Sequence, residues 1–288
     1  MINIIFQYEI LINFYFLEIR SCKKLDKQYK MFQDATSRFA RTVENYVKYR
    51  PGYPKALFDF LQAQLHLTSQ AVIADIGSGT GKSTEPFLML GNAVFAVEPN
   101  PEMRQAAEQL LKHFPGFTSV NGIAEATTLP DQCADFVIAG TAFHWFEPVA
   151  THREFQRILK PDGYTLLTWN VRNNERSDFM LAYEAFLLNY SSDYERVREV
   201  YHNTAGFDAF FGNPDWYKTV FENSQTFSFE GLLGRYLSAS YAFPETHPRF
   251  AAAKTALRVI FDTHQQEEKV TLWYDMVLYY GRLSGKSL

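Results

Sequence analysis

Residues 75–84 read DIGSGTGKST. The stretch closes on Gly-Lys-Ser, as phosphate-binding loops do, yet its glycines fall at every second position: Gly77, Gly79 and Gly81. A phosphate loop of the form Gly-x-x-x-x-Gly-Lys-Ser/Thr needs glycine at position 76, where the chain carries Ile76. A dinucleotide fingerprint, Gly-x-Gly-x-x-Gly, needs glycine at position 82, where it carries Lys82. What fits at every position is Asp-x-Gly-x-Gly-x-Gly directly behind the apolar run AVIADI (71–76), which reads as a buried strand. Glycine lacks Cβ and tolerates positive φ, so such a loop brings main chain close to a ligand.

Working outward, the chain alternates. PKALFDFLQAQL (54–65) has helical apolar spacing, and AVFAVEP (93–99) reads as a second strand. The next helix opens on Asn100 as N-cap, with Pro101 at its first position. FTSVNG (117–122), ADFVIAG (134–140) and YTLLTWN (164–170) read as strands three to five, with the helix THREFQRIL and the turn Lys160–Gly163 before the fifth. Strand and helix alternating through short links predict an α/β fold, a parallel sheet wrapped on both faces. Beyond Asn170 the rhythm changes. Residues 176–211 and 247–266 read as helical, and 217–229 and 269–281 as two late strands. The expected domain therefore spans 31–288, with a helical cap at about 176–212 between strands five and six.

With 47% hydrophobic and 21% charged residues, the chain has the balance of a globular protein. A net charge of −4 argues against a nucleic-acid partner, which calls for a basic face. Cys22 and Cys133 are too few for a disulfide framework or a zinc set; no metal is expected, and a reducing cytoplasm fits. The segment MINIIFQYEILINFYFLEIR is apolar but broken by polar residues, a poor secretion signal and too short and polar for a membrane span. Residues 1–30 are expected to lie outside the core, with Met31 a second candidate start.

The glycine loop and its flanks resemble the class I S-adenosylmethionine (SAM) dependent methyltransferases. Within them the chain is similar to the type 11 and trans-aconitate methyltransferase-like group. The resemblance is close over residues 32–170 and only in outline beyond. It implies a Rossmann-like, doubly wound seven-stranded sheet, mostly parallel with the last strand antiparallel. It also implies SAM as cofactor, leaving S-adenosylhomocysteine. Asp75, Gly77, Ser78, Gly79 and Gly81 would meet the methionine part. Glu98, at the end of strand two, would accept the ribose hydroxyls, a geometry that serves any adenosine cofactor. Pro99 and Met103 would follow along the adenosine, although Met103 suits a helix core equally. Ala124 and Glu125, in the segment NGIAEATTLPD, would meet the adenine edge, and Thr141 would close the cofactor set.

The fourth strand runs into AGTAFHWFEP (139–148), close to the family's His-Trp-Phe signature. The Asp/Asn-Pro-Pro-Tyr segment of DNA and protein amide methyltransferases is absent there. Aromatic faces suit a sulfonium. His144 would orient or deprotonate the acceptor, with Phe143 and Trp145 against it; a buried core role is the alternative. NYVKYRPGYP (45–54) resembles the family's N-terminal signature, which places Tyr46, Arg50 and Tyr53 over cofactor or acceptor. The expected activity is methyl transfer to a small molecule, at O, C or N, a carboxylic acid among the options. A non-catalytic SAM-binding regulator and an NAD-dependent oxidoreductase are the alternatives. Neither a membrane nor a nucleic acid is expected as partner, and monomer and homodimer stay open.

Overall fold

The glycine loop lies at the centre of a seven-stranded sheet of order β3-β2-β1-β4-β5-β7-β6. The computed structural model describes residues 43–202, 206–212 and 214–284. The segment 1–30 and the candidate start Met31 lie outside the described residues.

The N-terminal half builds the doubly wound part. Helices α1 (Val43–Tyr49) and α2 (Lys55–Leu65) precede β1 (Val72–Ile76). Then come α3 (Thr84–Met89), β2 (Ala93–Val97), α4 (Pro101–Leu111), β3 (Phe117–Val120), β4 (Ala134–Gly140), α5 (Pro148–Ile158) and β5 (Leu159–Arg172). Strands β1 to β5 pair in parallel; the apolar runs of the central β1 and β4 are buried on both faces, whereas the edge strand β3 is only partly covered. Helix α4 starts as its sequence predicts, with the Asn100 side chain accepting the amides of Glu102 (2.9 Å) and Met103 (3.0 Å). Helix α5 starts earlier than its apolar pattern predicts. Pro148 occupies its first turn, and Glu147 caps the amide of Ala150 at 2.7 Å. The Lys160–Gly163 stretch, read as a turn, belongs to β5. It passes through a left-handed Asp162 (φ 67°) before regular pairing with β4 resumes at Phe136 and Tyr164.

The C-terminal half adds α6 (Asp178–Asn189), α7 (Tyr194–His202), α8 (Phe207–Phe211), β6 (Trp216–Phe227), α9 (Phe229–Leu237), α10 (Phe250–His264) and β7 (Val270–Gly281). Strand β7 runs antiparallel to both neighbours and is inserted between β5 and β6. Six strands thus run one way and the last runs against them. Helices α6, α9 and α10 share an apolar cluster over β7, built on Tyr183, Phe186, Tyr236, Leu257 and Tyr274. Helical cover therefore comes from two excursions of the chain: 178–211, and a second over 229–264, whose first helix the sequence reading did not identify. Helix α8 instead packs on the main core through Phe207, Phe210 and Phe211.

Candidate active site

Strand β1 delivers Asp75 and Ile76, both fully buried, to the crevice at the carboxyl ends of the parallel strands. The glycine loop that follows is held from within. The amides of Gly77 and Ser78 both donate to the Val97 carbonyl (2.9 and 3.1 Å). That of Gly79 donates to Glu98 Oε2 at 2.9 Å, and that of Gly81 to the Ser78 carbonyl at 2.9 Å. These four donors are spent within the fold and are not available to a phosphate. All three glycines have φ between 57° and 86°. A Cβ on Gly77 would stand 2.8 Å from Ala142 Cβ, and one on Gly81 would stand 2.5 Å from Leu111 Cδ1. A Cβ on Gly79 would meet nothing within 4 Å, so that position opens onto free space.

Asp75 lies under the loop. Its Oδ2 accepts the hydroxyls of Ser83 and Thr84, each at 2.6 Å. Its Oδ1 is buried and has no partner. Burial pushes its pKa up to about 6, against the two hydroxyl bonds that lower it. Glu98 sits beyond β2 with both oxygens engaged, Oε2 by Gly79 and Oε1 by the Asn100 amide at 2.8 Å. Burial raises its pKa also. Pro99 follows, and Met103 is buried in the first turn of α4. Ala124 packs into the main core. Glu125 Oε1 accepts the Glu147 amide at 2.7 Å and so pins the end of the aromatic turn.

Strand β4 ends at Gly140, and Thr141 follows it. Thr141 holds φ +56°, costly for a β-branched residue at about 1–3 kcal/mol, and its amide donates to the Thr168 carbonyl at 2.7 Å. The next residues, Phe143–Trp145, form a short 3-10 turn. Phe143 packs edge-on against Phe210 (centroids 4.4 Å) and Phe207 (5.8 Å), so its ring belongs to the core rather than to the cavity. His144 lies against Trp145 at 4.8 Å, and burial pushes its pKa down to about 4.

The stretch from α1 to α2 is lashed across the sheet ends. Asn223 Nδ2 donates to the Gly52 carbonyl (2.9 Å) and to Asn170 Oδ1 (2.8 Å), and Gln225 Nε2 to the Tyr49 carbonyl (3.2 Å). Tyr49 lies so close over α9 that a Cβ on Gly234 would come 2.1 Å from its ring. Beneath this strap is a cavity of about 700 Å3 counting its open mouth. Of the residues expected from sequence, it gathers Tyr46, Arg50, Tyr53, Gly77, Ser78 and Thr141. Glu98, Met103, Ala124, Glu125, Phe143, His144 and Trp145 are not in its lining.

Sequence reasoning missed Lys82, Arg172, Arg235 and Tyr241, all of which line the cavity. Arg172 closes β5, donating to the hydroxyls of Tyr194 (2.6 Å) and Tyr241 (3.2 Å). Arg235, 3% exposed on α9, donates to the hydroxyls of Tyr274 (3.2 Å) and Ser238 (3.3 Å). Arg50 donates to the Ser238 carbonyl at 3.0 Å and lies over the Tyr46 ring. The signal for Arg235 was present in the sequence: it is a charge on the apolar face of a helix, beside the buried Leu232 and Tyr236. Among the described residues no group of His, Cys, Asp and Glu is placed to hold a metal ion.

Residues 74–167 match the family model of a methyltransferase domain. An uncharacterised methyltransferase-like protein of Schizosaccharomyces pombe is 33% identical over 138 residues, 47% of this chain and 52% of that protein. An uncharacterised methyltransferase of Mycobacterium tuberculosis is 35% identical over 141 residues, 49% of this chain and 55% of that one. The chain spans about half the length of the curated relatives it matches. A solved structure from Anaeromyxobacter dehalogenans, provisionally named a type II methyltransferase, shares the fold. Its TM-score is 0.58 at 21% identity, over 82% of this chain and 98% of that chain. Sequence match, strand order and glycine loop agree in making residues 74–167 the part of the chain that is similar to a methyltransferase domain.

Proposed function

We propose that this chain transfers the methyl group of SAM to a small-molecule acceptor in the cavity beneath the strap, releasing S-adenosylhomocysteine. The observation that carries the reading is the glycine loop. The amides of Gly77, Ser78, Gly79 and Gly81 are satisfied internally, Gly79 faces open space, and the buried Asp75 Oδ1 awaits a donor. A phosphate would need free amides, whereas the amino group of a methionine tail would satisfy an orphaned carboxylate oxygen. Glu98 keeps a lone pair on each oxygen after accepting its two amides, enough for ribose hydroxyls. Met103, Ala124 and Glu125 lie further along, on the adenine side of this reading.

The sulfonium supplies an already activated methyl group, so the protein's task is alignment and exclusion of water. Alignment of this kind supplies about 7–11 kcal/mol. Thr141 and the Gly77–Ser78 turn hold the reacting end, and Tyr46 and Tyr53 close over it. The net charge of −4 favours a small molecule over a nucleic acid, and the two cysteines fit the cytoplasm. Among the described residues no helix is long and apolar enough to cross a membrane.

Melting curves with SAM, S-adenosylhomocysteine and NAD test the reading. A ligand at 100 times its Kd adds about 2.7 kcal/mol. Stabilisation by NAD and not by SAM would refute it. Stabilisation by SAM, with no label passed from tritiated SAM to any metabolite pool, would favour a non-catalytic binding protein.

A further inference from the structure

The cavity is lined by four cationic side chains, Arg50, Lys82, Arg172 and Arg235, and by no carboxylate and no imidazole. Among the described residues none of the three arginines has an acid within ion-pair distance. Their donors go to neutral groups instead: tyrosine hydroxyls, the Ser238 hydroxyl and the Ser238 carbonyl. The Nε atoms of Arg50 and Arg172 are buried and have no partner at all. Glu184, the acid nearest in the network, already accepts from Tyr194 and from Arg198 (2.8 Å), so its charge is spent outside the cavity. Tyr241 senses the resulting field. Burial pushes its pKa up, yet Arg172, Arg235 and Arg50 pull it below its ordinary value. Buried guanidinium groups without a counter-charge are costly, and an anion bound among them removes that cost.

We propose that the acceptor is a small carboxylic acid, bound as the carboxylate by Arg172, Arg235 and Arg50 and methylated on a carboxylate oxygen. This rests on the methyltransferase reading and names its substrate class. The absence of a carboxylate or imidazole base from the lining is the second argument. A hydroxyl, amine or carbon acceptor has a proton to lose, whereas a carboxylate has none. The carboxylate oxygen gives a lone pair to the methyl carbon as the carbon–sulfur bond breaks, and that bonding pair returns to sulfur. The products are a methyl ester and S-adenosylhomocysteine. One positive and one negative charge cancel, and no proton is released.

The test uses the whole chain with succinate, glutarate and citrate as probes, and with dimethyl succinate and inorganic phosphate as controls. Melting shifts are read with S-adenosylhomocysteine present, and label from methyl-tritiated SAM is read as methanol freed by mild base. The acids are expected to stabilise the protein, the neutral diester is not, and the labelled product is expected to be base-labile. Arg235→Met is expected to weaken acid binding by about 30-fold or more, while SAM affinity stays within about threefold. If Arg235→Met does not fold, Arg172→Gln, at the end of β5, gives the same readout. Equal stabilisation by the diester, a base-stable product, or phosphate binding in place of the acids would overturn the proposal. So would variants that lose SAM affinity instead, which would assign the arginines to the cofactor's own carboxylate. Acids that bind while SAM does not would uphold the anion site and remove the methyltransferase reading.

Discussion

Asp75→Asn separates the cost of the buried carboxylate from its use. Asp75 is fully buried, and its pKa is pushed from 3.8 to about 6. The folded state therefore binds a proton more tightly than the unfolded chain. Between those two values the native protein carries the proton and the unfolded chain does not, so stability falls as pH rises through this window. The shift of about 2 pKa units corresponds to about 3 kcal/mol, fully present below pH 3.8 and lost above about pH 6. Asparagine has no such titration. Urea unfolding of both proteins at pH 4 and pH 7.5 checks this. The variant's stability relative to wild type is expected to improve by about 2.5 kcal/mol from the lower pH to the higher, because the unfolded aspartate is already partly ionised at pH 4. Saturating SAM is expected to reverse the order at pH 7.5, because the ammonium of its methionine tail compensates the aspartate and not the amide. A difference between the two proteins that does not vary with pH would refute the burial argument. The variant keeping full SAM affinity would refute the contact assigned to Oδ1.

Three further outcomes follow from the same geometry. Gly140→Ala places a methyl 2.2 Å from the Tyr53 hydroxyl and 3.3 Å from Ser83, so calorimetry should show a loss of about 1–3 kcal/mol. Glu98→Ala is expected to weaken SAM binding at least tenfold, about 1.4 kcal/mol, by titration calorimetry. It should also lower Tm, since the amides of Gly79 and Asn100 lose their acceptor; unchanged affinity in a folded variant would refute the ribose contact. His144, with its pKa near 4 and no place in the cavity lining, is expected to leave the pH–rate profile without an inflection near 6.5. His144→Ala should then lower Tm more than turnover, and a 10²-fold fall in turnover would restore its role as acid or base.

The cofactor half of the molecule was legible because its signals are local. A continuous apolar run ending in Asp75 and three alternating glycines fix a strand, a turn and a ligand-facing loop within ten residues. Strand β4 was read with its observed bounds for the same reason. The start of β5 was not, because Lys160-Pro161-Asp162-Gly163 has the composition of a turn and lies in the irregularity between the pairs Ala134–Leu159 and Phe136–Tyr164. The acceptor side was hardest. Arg50, Arg172 and Arg235 come from a loop, a strand end and a cap helix, and only the packing of α9 beside the strap brings them together. His144 attracted attention through its aromatic neighbours, but Phe143 packs inward with Phe207 and Phe210 and ties the turn to the core.

The placement of β7 also bears on how the protein is made. Of the described strands it is the last to leave the ribosome, yet it pairs with β5 over Thr165–Arg172 and with β6 over Trp216–Phe227. Until residue 281 has emerged, both of those strands present bare hydrogen-bonding edges, the kind of surface that invites pairing with another chain. Arg172, at the tip of β5, faces Tyr274 of that same late strand, and Tyr274 in turn accepts from Arg235. A nascent chain can therefore assemble its glycine loop and nucleotide-side strands during synthesis while its acceptor chamber does not yet exist. Ligand rescue of folding during translation should accordingly come from SAM early and from an acceptor only after release.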